Sequence, residues 1–265
     1  MLRKEVEHHM FQEERLVEIL RDLQEHQRIS VQDIIDRYGV SRDTARRDLV
    51  KLEEQGAILR TRGGAILPTL TKKSIHYKER IQLKSDVKRL IGQRAASLLK
   101  DGDYLIMDAS TTVQFAAEAM QTRDNVVVTN SIATANILAE KPSVSIYMLG
   151  GMLQAQDRYV LGPRSIEMLS DYQVDKLLIG VCGLNAEGIF HATEEESYQL
   201  REMLKCADQV IVLADQTKFG LKLFHKVAGL DWIDMIITDR MPHEDILAAL
   251  RKHEIELFIV QQEQE

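Results

Sequence analysis

Over roughly the last two hundred of this chain's 265 residues, short apolar runs alternate with segments whose apolar positions recur at helical spacing. The runs are YLIMD (104–108), VVVT (126–129), VSIYML (144–149), KLLIGVC (176–182), QVIVLA (209–214) and DMIIT (234–238), with a last one around 256–260. Runs this continuous do not alternate wet and dry faces, so these strands are expected to be covered on both sides. Helices supply the cover. Val87, Leu90, Ile91, Ala95 and Leu98 mark one, and others are expected over 111–120, 132–140, 194–207 and 245–252. The pattern predicts an α/β domain with a mainly parallel sheet and helices on both faces.

Ligands of such sheets bind beyond the carboxyl ends of the strands. Those ends read Asp108-Ala109-Ser110-Thr111-Thr112, Thr129-Asn130-Ser131, Leu149-Gly150-Gly151 and Asp215-Gln216-Thr217-Lys218. Ser110, Thr111 and Thr112 open a helix, where free N–H groups and the dipole favour an anion, and Lys218 adds a cation. A phosphorylated small molecule fits this set. Each stretch also has a structural reading: Ser and Thr cap helices, Asn130 makes turns, and paired glycines bend chains. Neither GxxxxGK[ST] nor GxGxxG occurs, which disfavours nucleotide binding, and no GxSxG supports a hydrolase.

The first 67 residues differ in kind. Leu16, Ile19, Leu20 and Leu23 give one helix an apolar face, and it is expected to end near Glu25. A second helix opens at Ser30, buries Val31, Ile34, Ile35 and Tyr38, and stops at Gly39. Only Val40 then separates Gly39 from Ser41, the expected cap of a third helix in which Ala45, Leu49 and Leu52 face inward and which Gly56 stops. That is a helix-turn-helix. It leaves Arg42, Asp43, Thr44, Arg46 and Arg47 outward at the helix start, where arginine forks match guanine edges and Ser41 and Thr44 can hold phosphates. ILRTRGGAIL (58–67) follows as a wing whose Gly63-Gly64 pair supplies a tight hairpin, with Arg60 and Arg62 placed along a phosphate backbone. Arg42, Arg46 and Arg47 merely solvating a surface paired with Asp43 and Asp48 is the competing reading.

Charge decides between global and local binding. The net charge of −7 excludes a generally polybasic chain, yet residues 41–62 hold six basic groups to four acidic ones. The amino terminus has no signal-peptide core, and no stretch approaches the roughly 18 apolar residues of a membrane span, so a cytoplasmic protein is expected. Cys182 and Cys206 show no ligand spacing and read as small core residues; no metal or cofactor is expected. His191 reads as a loop residue, and Glu194, Glu195 and Glu196 as the start of a helix, one of them able to bond ligand hydroxyls. The expected domains are 1–67 for DNA binding, 68–80 as a linker with a boundary near 75, and 81–265 as an effector and oligomerisation domain.

Together, SRDTARRDLVKLEEQGAILRTRGGAI (41–66), MDASTT, VVTNS, LGG and LADQTKFG resemble the DeoR family of bacterial transcriptional regulators across nearly the whole chain. The resemblance implies a winged helix-turn-helix joined to a sugar-phosphate isomerase-like effector domain, in a homodimer or homotetramer. It implies a repressor of a carbohydrate-catabolic operon, released from operator DNA by a phosphorylated sugar or sugar alcohol. By position Asp108, Ser110, Thr111, Thr112, Asn130, Gly150, Gly151 and Lys218 match the family's ligand pocket. Where the family commonly has Asp-Ser-Gly-Thr-Thr, this chain has Ala109-Ser110 in place of Ser-Gly. An activator with the same ligand logic, or an isomerase-type enzyme using Asp108, Asp215 and Lys218, are the alternatives.

Overall fold

The computed structural model describes residues 10–26, 28–55, 57–66 and 76–260. The chain divides between residues 72 and 73 into two compact units. The first runs α1 (Gln12–His26), β1 (Arg28–Ser30), α2 (Val31–Tyr38), α3 (Arg42–Glu54), β2 (Leu59–Thr61) and β3 (Gly64–Ile66). Its core joins Leu16, Ile19 and Leu23 of α1 to Ile34 of α2 and Ala45, Leu49 and Leu52 of α3, with Ile29, Ile58 and Ala65 beneath. Ser30 and Asp33 cap α2 reciprocally: Ser30 Oγ accepts the Asp33 N–H at 3.0 Å and Asp33 Oδ2 accepts the Ser30 N–H at 2.8 Å. Such a cap is worth about 1 kcal/mol. Gly39 takes the left-handed conformation at φ 63°, and Ser41 Oγ accepts the Thr44 N–H at 3.1 Å to start α3.

The wing differs from expectation in one respect. Only Gly63, at φ 104°, takes the turn conformation. Gly64 is instead a strand residue hemmed in by β1, where a Cβ would lie 2.0 Å from the Ile29 carbonyl oxygen. β1, which the sequence reading missed, pairs with β3 to give the order β1-β3-β2. α3 closes at Gln55 in the right-handed conformation; the expected stops at Gly56 and Pro68 lie outside the described residues.

The second unit opens with α4 (Tyr77–Gln82), so the expected linker 68–80 is too long at its carboxyl end. Tyr77 is buried, donating its hydroxyl to Gln114 Oε1 at 2.6 Å and its N–H to Asp157 Oδ1 at 3.2 Å. A buried tyrosine with both polar groups satisfied is an anchor rather than a tether. Residues 68–75 lie outside the described residues.

Then follow α5 (Ser85–Ala96), β4 (Tyr104–Met107), α6 (Thr111–Ala119), β5 (Val126–Thr129), α7 (Ile132–Ala139), β6 (Ser145–Met148), β7 (Met152–Gln154), β8 (Tyr159–Leu161), α8 (Pro163–Leu169) and β9 (Val174–Gly180). The chain continues through β10 (Gly183–Asn185), β11 (Gly188–His191), α9 (Glu194–Lys205), β12 (Ala207–Leu213), β13 (His225–Ala228), β14 (Met235–Thr238), α10 (Glu244–Lys252) and β15 (Glu256–Ile259). Seven strands form one parallel sheet in the order β15-β14-β12-β9-β4-β5-β6.

Successive residues feed opposite cores. Ile106, Leu177, Ile179, Val210, Val212 and Ile236 pack with Leu200 and Met203 of α9 and Ile246 of α10. Leu105, Met107, Leu178, Ile211, Leu213 and Ile237 pack with Ile91 of α5 and Val113 and Ala116 of α6. Gly92 lets α5 and α6 touch backbone to backbone, since a Cβ there would meet the Phe115 carbonyl carbon at 2.6 Å. The hairpin β7-β8 and the antiparallel sheet β10-β11-β13 were not expected; their strands of three or four residues are too short to show a period.

Candidate functional site

Two sets of cations stand out, one in each unit. In the first, Arg42, Arg46 and Arg47 are exposed along the first turns of α3, opposite buried Ala45 and Leu49. Asp48, the carboxylate that might have neutralised them, is fully buried and taken by α1. Arg15 Nε lies 2.6 Å from its Oδ2, and Gln12 Nε2 donates to its Oδ1 at 2.9 Å. Among the described residues, Arg42, Arg46, Arg47 and Arg62 make no ion pair. Arg60 sits 3.4 Å from Glu53 in an exposed pair, which is worth at most about 1 kcal/mol and is readily exchanged. Thr44 and Ser41 hydroxyls lie 2.9 Å apart at the helix start. The face is a set of free guanidinium forks on a rigid helix.

The second set lies at the carboxyl ends of β4, β9 and β12. Lys84, held in the left-handed region at φ 52° just before α5, brings its ammonium 3.9 Å from Asp215 Oδ1. Lys88, one turn on, is only 6% exposed and donates to Thr111 Oγ1 at 3.0 Å and to the Arg80 carbonyl. Burial, aided by the charge of Lys218, pushes the Lys88 pKa down to about 8. Arg80 Nη2 is 3.4 Å from Asp157, while its buried Nε has no partner among the described residues. Burial pushes Asp215 up, but Lys218 and the Thr217 hydroxyl outweigh it and hold the carboxyl below its usual range. With Arg80 matched to Asp157 and Lys84 to Asp215, Lys88 and Lys218 are left without ion-pair partners among the described residues. Asp239 and Arg240, both felt by Lys84, offset each other.

Asp108 feels the Arg80 charge but is bound to backbone rather than to these side chains. It is buried, its Oδ1 accepts the Ser110 N–H at 2.9 Å, and its Oδ2 accepts the Gly180 N–H at 3.2 Å. Burial dominates these bonds and raises its pKa to about 7. With both oxygens engaged it braces the end of β4 against that of β9. Ser110 caps α6 through the Thr112 N–H at 3.2 Å and lies against the bare Cα of Gly180, where a Cβ would meet its Oγ at 2.0 Å.

Beyond lies a neutral and acidic wall. Asn130 is buried, donating through Nδ2 to Gln199 Oε1 at 3.3 Å, while its Oδ1 is without a partner among the described residues. Gln199 in turn donates to Ser165 Oγ at 2.5 Å. Glu196 accepts the Tyr159 hydroxyl at 2.6 Å and the Thr193 hydroxyl, and lies 3.1 Å from His191 Nδ1. Burial works against its charge, but His191, Thr193 and Tyr159 hold its pKa at about 2. The charge of His191 outweighs burial and draws the Cys182 thiol below its ordinary range.

The sequence-derived ligand residues are therefore only partly brought together. Ser110, Thr111, Asp215 and Lys218 surround the cationic end, with Thr112 buried at the helix start. Asn130 belongs to the neutral wall. Gly150 and Gly151 have structural surroundings of their own: Gly151, at φ 147°, lies where a Cβ would meet the Leu161 carbonyl oxygen at 2.9 Å, and the Gly150 N–H points at Met168 Sδ. Two expectations are corrected. His191 ends β11 rather than lying in a loop, and Cys182 is half-buried rather than a core residue. Arg80, Lys84, Lys88, Tyr159 and Gln199 were missed. Lys88 carried a signal, because Lys88, Ile91 and Ala95 share the apolar face of α5 at i, i+3 and i+7.

Two family models match: "DeoR-like helix-turn-helix domain" over residues 15–71 and "DeoR C terminal sensor domain" over residues 83–240. The chain is 49% identical over 255 residues to the HTH-type transcriptional repressor GlcR of Bacillus subtilis (strain 168), covering 96% of this chain and 99% of that one. It is 33% identical to the putative aga operon transcriptional repressor of Escherichia coli O157:H7, over 93% of each chain. The glycerol-3-phosphate regulon repressor of Escherichia coli (strain K12) is 28% identical over 86% of this chain and 91% of the relative. Among solved structures, ribose 5-phosphate isomerase A from Neisseria gonorrhoeae matches at 15% identity and a TM-score of 0.36 over 51% of this chain and 54% of that one, too slight a likeness to bear on function.

Proposed function

Because this chain belongs to the DeoR family, with a helix-turn-helix domain followed by a sensor domain, we propose that it is a transcriptional repressor of a carbohydrate-catabolic operon, released from its operator by a sugar phosphate or polyol phosphate. Residues 1–67 carry the DNA contacts. Arg42, Arg46 and Arg47 read base edges in the major groove, Ser41 and Thr44 hold the flanking phosphates, and Arg60 and Arg62 follow the backbone from the wing. Residues 81–265 carry the effector, and a symmetric oligomer presents two such helices to two half-sites.

The observation that carries the effector reading is the buried, unpaired Lys88 beside Lys218. Two unmatched cations over the start of α6 suit a phosphate monoester, whose charge near neutral pH is about −1.5 to −2. Arg80 Nε supplies a further unsatisfied donor. The sugar then lies toward Asn130, Gln199, Tyr159 and Glu196, whose acceptors and donors suit hydroxyls. Asp108, with both oxygens bound to backbone N–H groups, is poorly placed for acid–base work, which favours a sensor over an isomerase. Effector binding favours an arrangement of the paired recognition helices that no longer fits the half-site spacing.

The test is a calorimetric titration of the full chain with inorganic phosphate, sugar phosphates, polyol phosphates and the matching unphosphorylated compounds. Each binder is then tested for release of bound genomic fragments. Binding only by phosphorylated compounds, lost in Lys88→Met, is the expected result. Equal binding of the unphosphorylated sugars would overturn the phosphate assignment.

A further inference from the structure

Asp157 sits in the turn between β7 and β8, two residues before Tyr159 of the cleft wall. Its Oδ1 accepts the Tyr77 N–H at 3.2 Å and lies 3.4 Å from Arg80 Nη2, and its Oδ2 lies 3.6 Å from His76 Nδ1. One carboxylate therefore fastens α4 at its start and again one turn on. Its neighbour Arg158, left-handed at φ 58°, lays its guanidinium over the Tyr77 ring at 4.6 Å. The turn is fixed on its other side to the sheet: the Arg158 carbonyl accepts the Ile132 N–H at 3.0 Å, and the Val160 N–H donates to the Asn130 carbonyl at 2.8 Å. Arg80 is held less firmly. Its contact with Asp157 is long and uses one terminal nitrogen, and its buried Nε has no partner among the described residues. Its carbonyl accepts the Lys88 ammonium, and its charge is felt by Lys88, Asp108 and Tyr159, so it faces the cleft as well as the turn.

We propose that Asp157 is a latch on α4: a phosphate ester in the cleft takes Arg80 from Asp157, and the turn at residues 76–80 loosens. This rests on the phosphate reading of the cleft and names how occupancy is passed toward the DNA-binding unit, which precedes α4 in the chain. A guanidinium binds an anion best through two parallel N–H bonds, and Asp157 leaves that capacity of Arg80 unused. A phosphate monoester beside Lys88 brings more charge and more acceptor oxygens than one carboxylate. The differential affinity that moves the equilibrium is the Arg80–phosphate bonding gained over the Arg80–Asp157 pair lost. Tyr77 stays in place, because its hydroxyl is bound to Gln114 Oε1 at 2.6 Å. The change is therefore a loosening about a fixed anchor, felt first by the Glu79 and Arg80 amides, which donate to the His76 carbonyl at 3.0 Å.

The test is a double-mutant cycle on the full chain, with inorganic phosphate titrated by calorimetry at fixed ionic strength. Asp157→Asn is expected to tighten phosphate binding about three- to fivefold, and to change it by less than about 1.5-fold when Arg80→Met is already present. Equal tightening in both backgrounds is what removal of any nearby negative charge gives, and it overturns the latch, as does weaker binding in Asp157→Asn. Phosphate bound without this coupling overturns the latch alone; no phosphate binding in wild type or variants overturns the phosphate reading and the latch with it. Amide exchange on the wild-type protein covers the case in which a variant does not fold. Saturating phosphate is expected to speed exchange at Glu79 and Arg80 at least about threefold while slowing it at Thr112, at the start of α6. Exchange that slows at both places, or is unchanged at Glu79 and Arg80, overturns the proposal. Unlatched without ligand, Asp157→Asn should also retain fewer genomic fragments than wild type at equal salt, although losing a negative charge by itself favours DNA. Equal or greater retention overturns the passage to the DNA-binding unit.

Discussion

The two groups of cations use the same chemistry under opposite conditions. Arg42, Arg46 and Arg47 are exposed and unpaired among the described residues, whereas Lys88 is buried and Lys84 and Arg80 are held by carboxylates. An exposed cation costs the fold almost nothing and acts through screened, long-range fields, as recognition of a long polyanion requires. A buried cation is costly to hold empty and gains most from a compact anion that matches its charge. Exposure therefore separates a face for a polymer from a cleft for a small dianion, although both are only lysines and arginines.

The largest expected effect tests what holds the exposed face in place. Arg15→Met leaves Asp48 buried without its partner and should cost about 3–5 kcal/mol, read as lost amide-exchange protection in α1 and α3. A loss under about 1 kcal/mol would mean that the pair does not organise the recognition helix.

Next comes the pH response of the buried region. The Asp108 pKa is raised in the fold to about 7, so the folded chain keeps a proton there that the unfolded chain releases near 4. Its contribution is complete below about pH 4 and is lost as pH rises toward 7. In Asp108→Asn this decline, worth a few kcal/mol, should vanish from urea-denaturation curves taken across that window.

Lys88→Met is expected to leave the ligand-free protein as stable or more stable, while weakening phosphate-ester binding by about 30-fold or more in calorimetry. By contrast Arg46→Ala and Arg47→Ala should each weaken specific DNA binding by about 1–3 kcal/mol in a shift assay at fixed salt. Their thermal unfolding should move by less than about 0.5 kcal/mol. If Lys88→Met destabilised the fold while Arg46→Ala left DNA binding intact, the contrast between the two groups would collapse. The smallest effect is at the helix start: Ser41→Ala removes the cap on Thr44 and should cost about 1 kcal/mol by denaturant titration.

The sequence was legible where local physics acts alone. Ser30, Gly39 and Ser41 announce their caps because capping involves residues within a turn, and the five inner parallel strands show as apolar runs because both faces are covered; the edge strand β6 departs from that expectation, with Ser145, Tyr147 and Met148 exposed. β1 escaped notice because three residues have no period and its pairing depends on Gly64, more than thirty positions away. The cleft was half legible. Strand-end positions such as Ser110 and Lys218 could be found by counting, but Arg80, Tyr159 and Gln199 enter from α4, β8 and α9 through tertiary packing. Gly151 shows how one residue can answer to two demands, since a close approach to Leu161 of β8 calls for glycine there whether or not a ligand does.

The contact between Ser110 and Gly180 has a consequence for how this cleft can change through descent. With a Cβ at 180 lying 2.0 Å from Ser110 Oγ, Gly180→Ala is closed to this chain as a first step. It opens only after Ser110→Gly, and once alanine is established the return to serine is closed in turn. Two positions seventy residues apart are thus inherited as one unit, and the order of substitution determines which cleft shapes a lineage can reach.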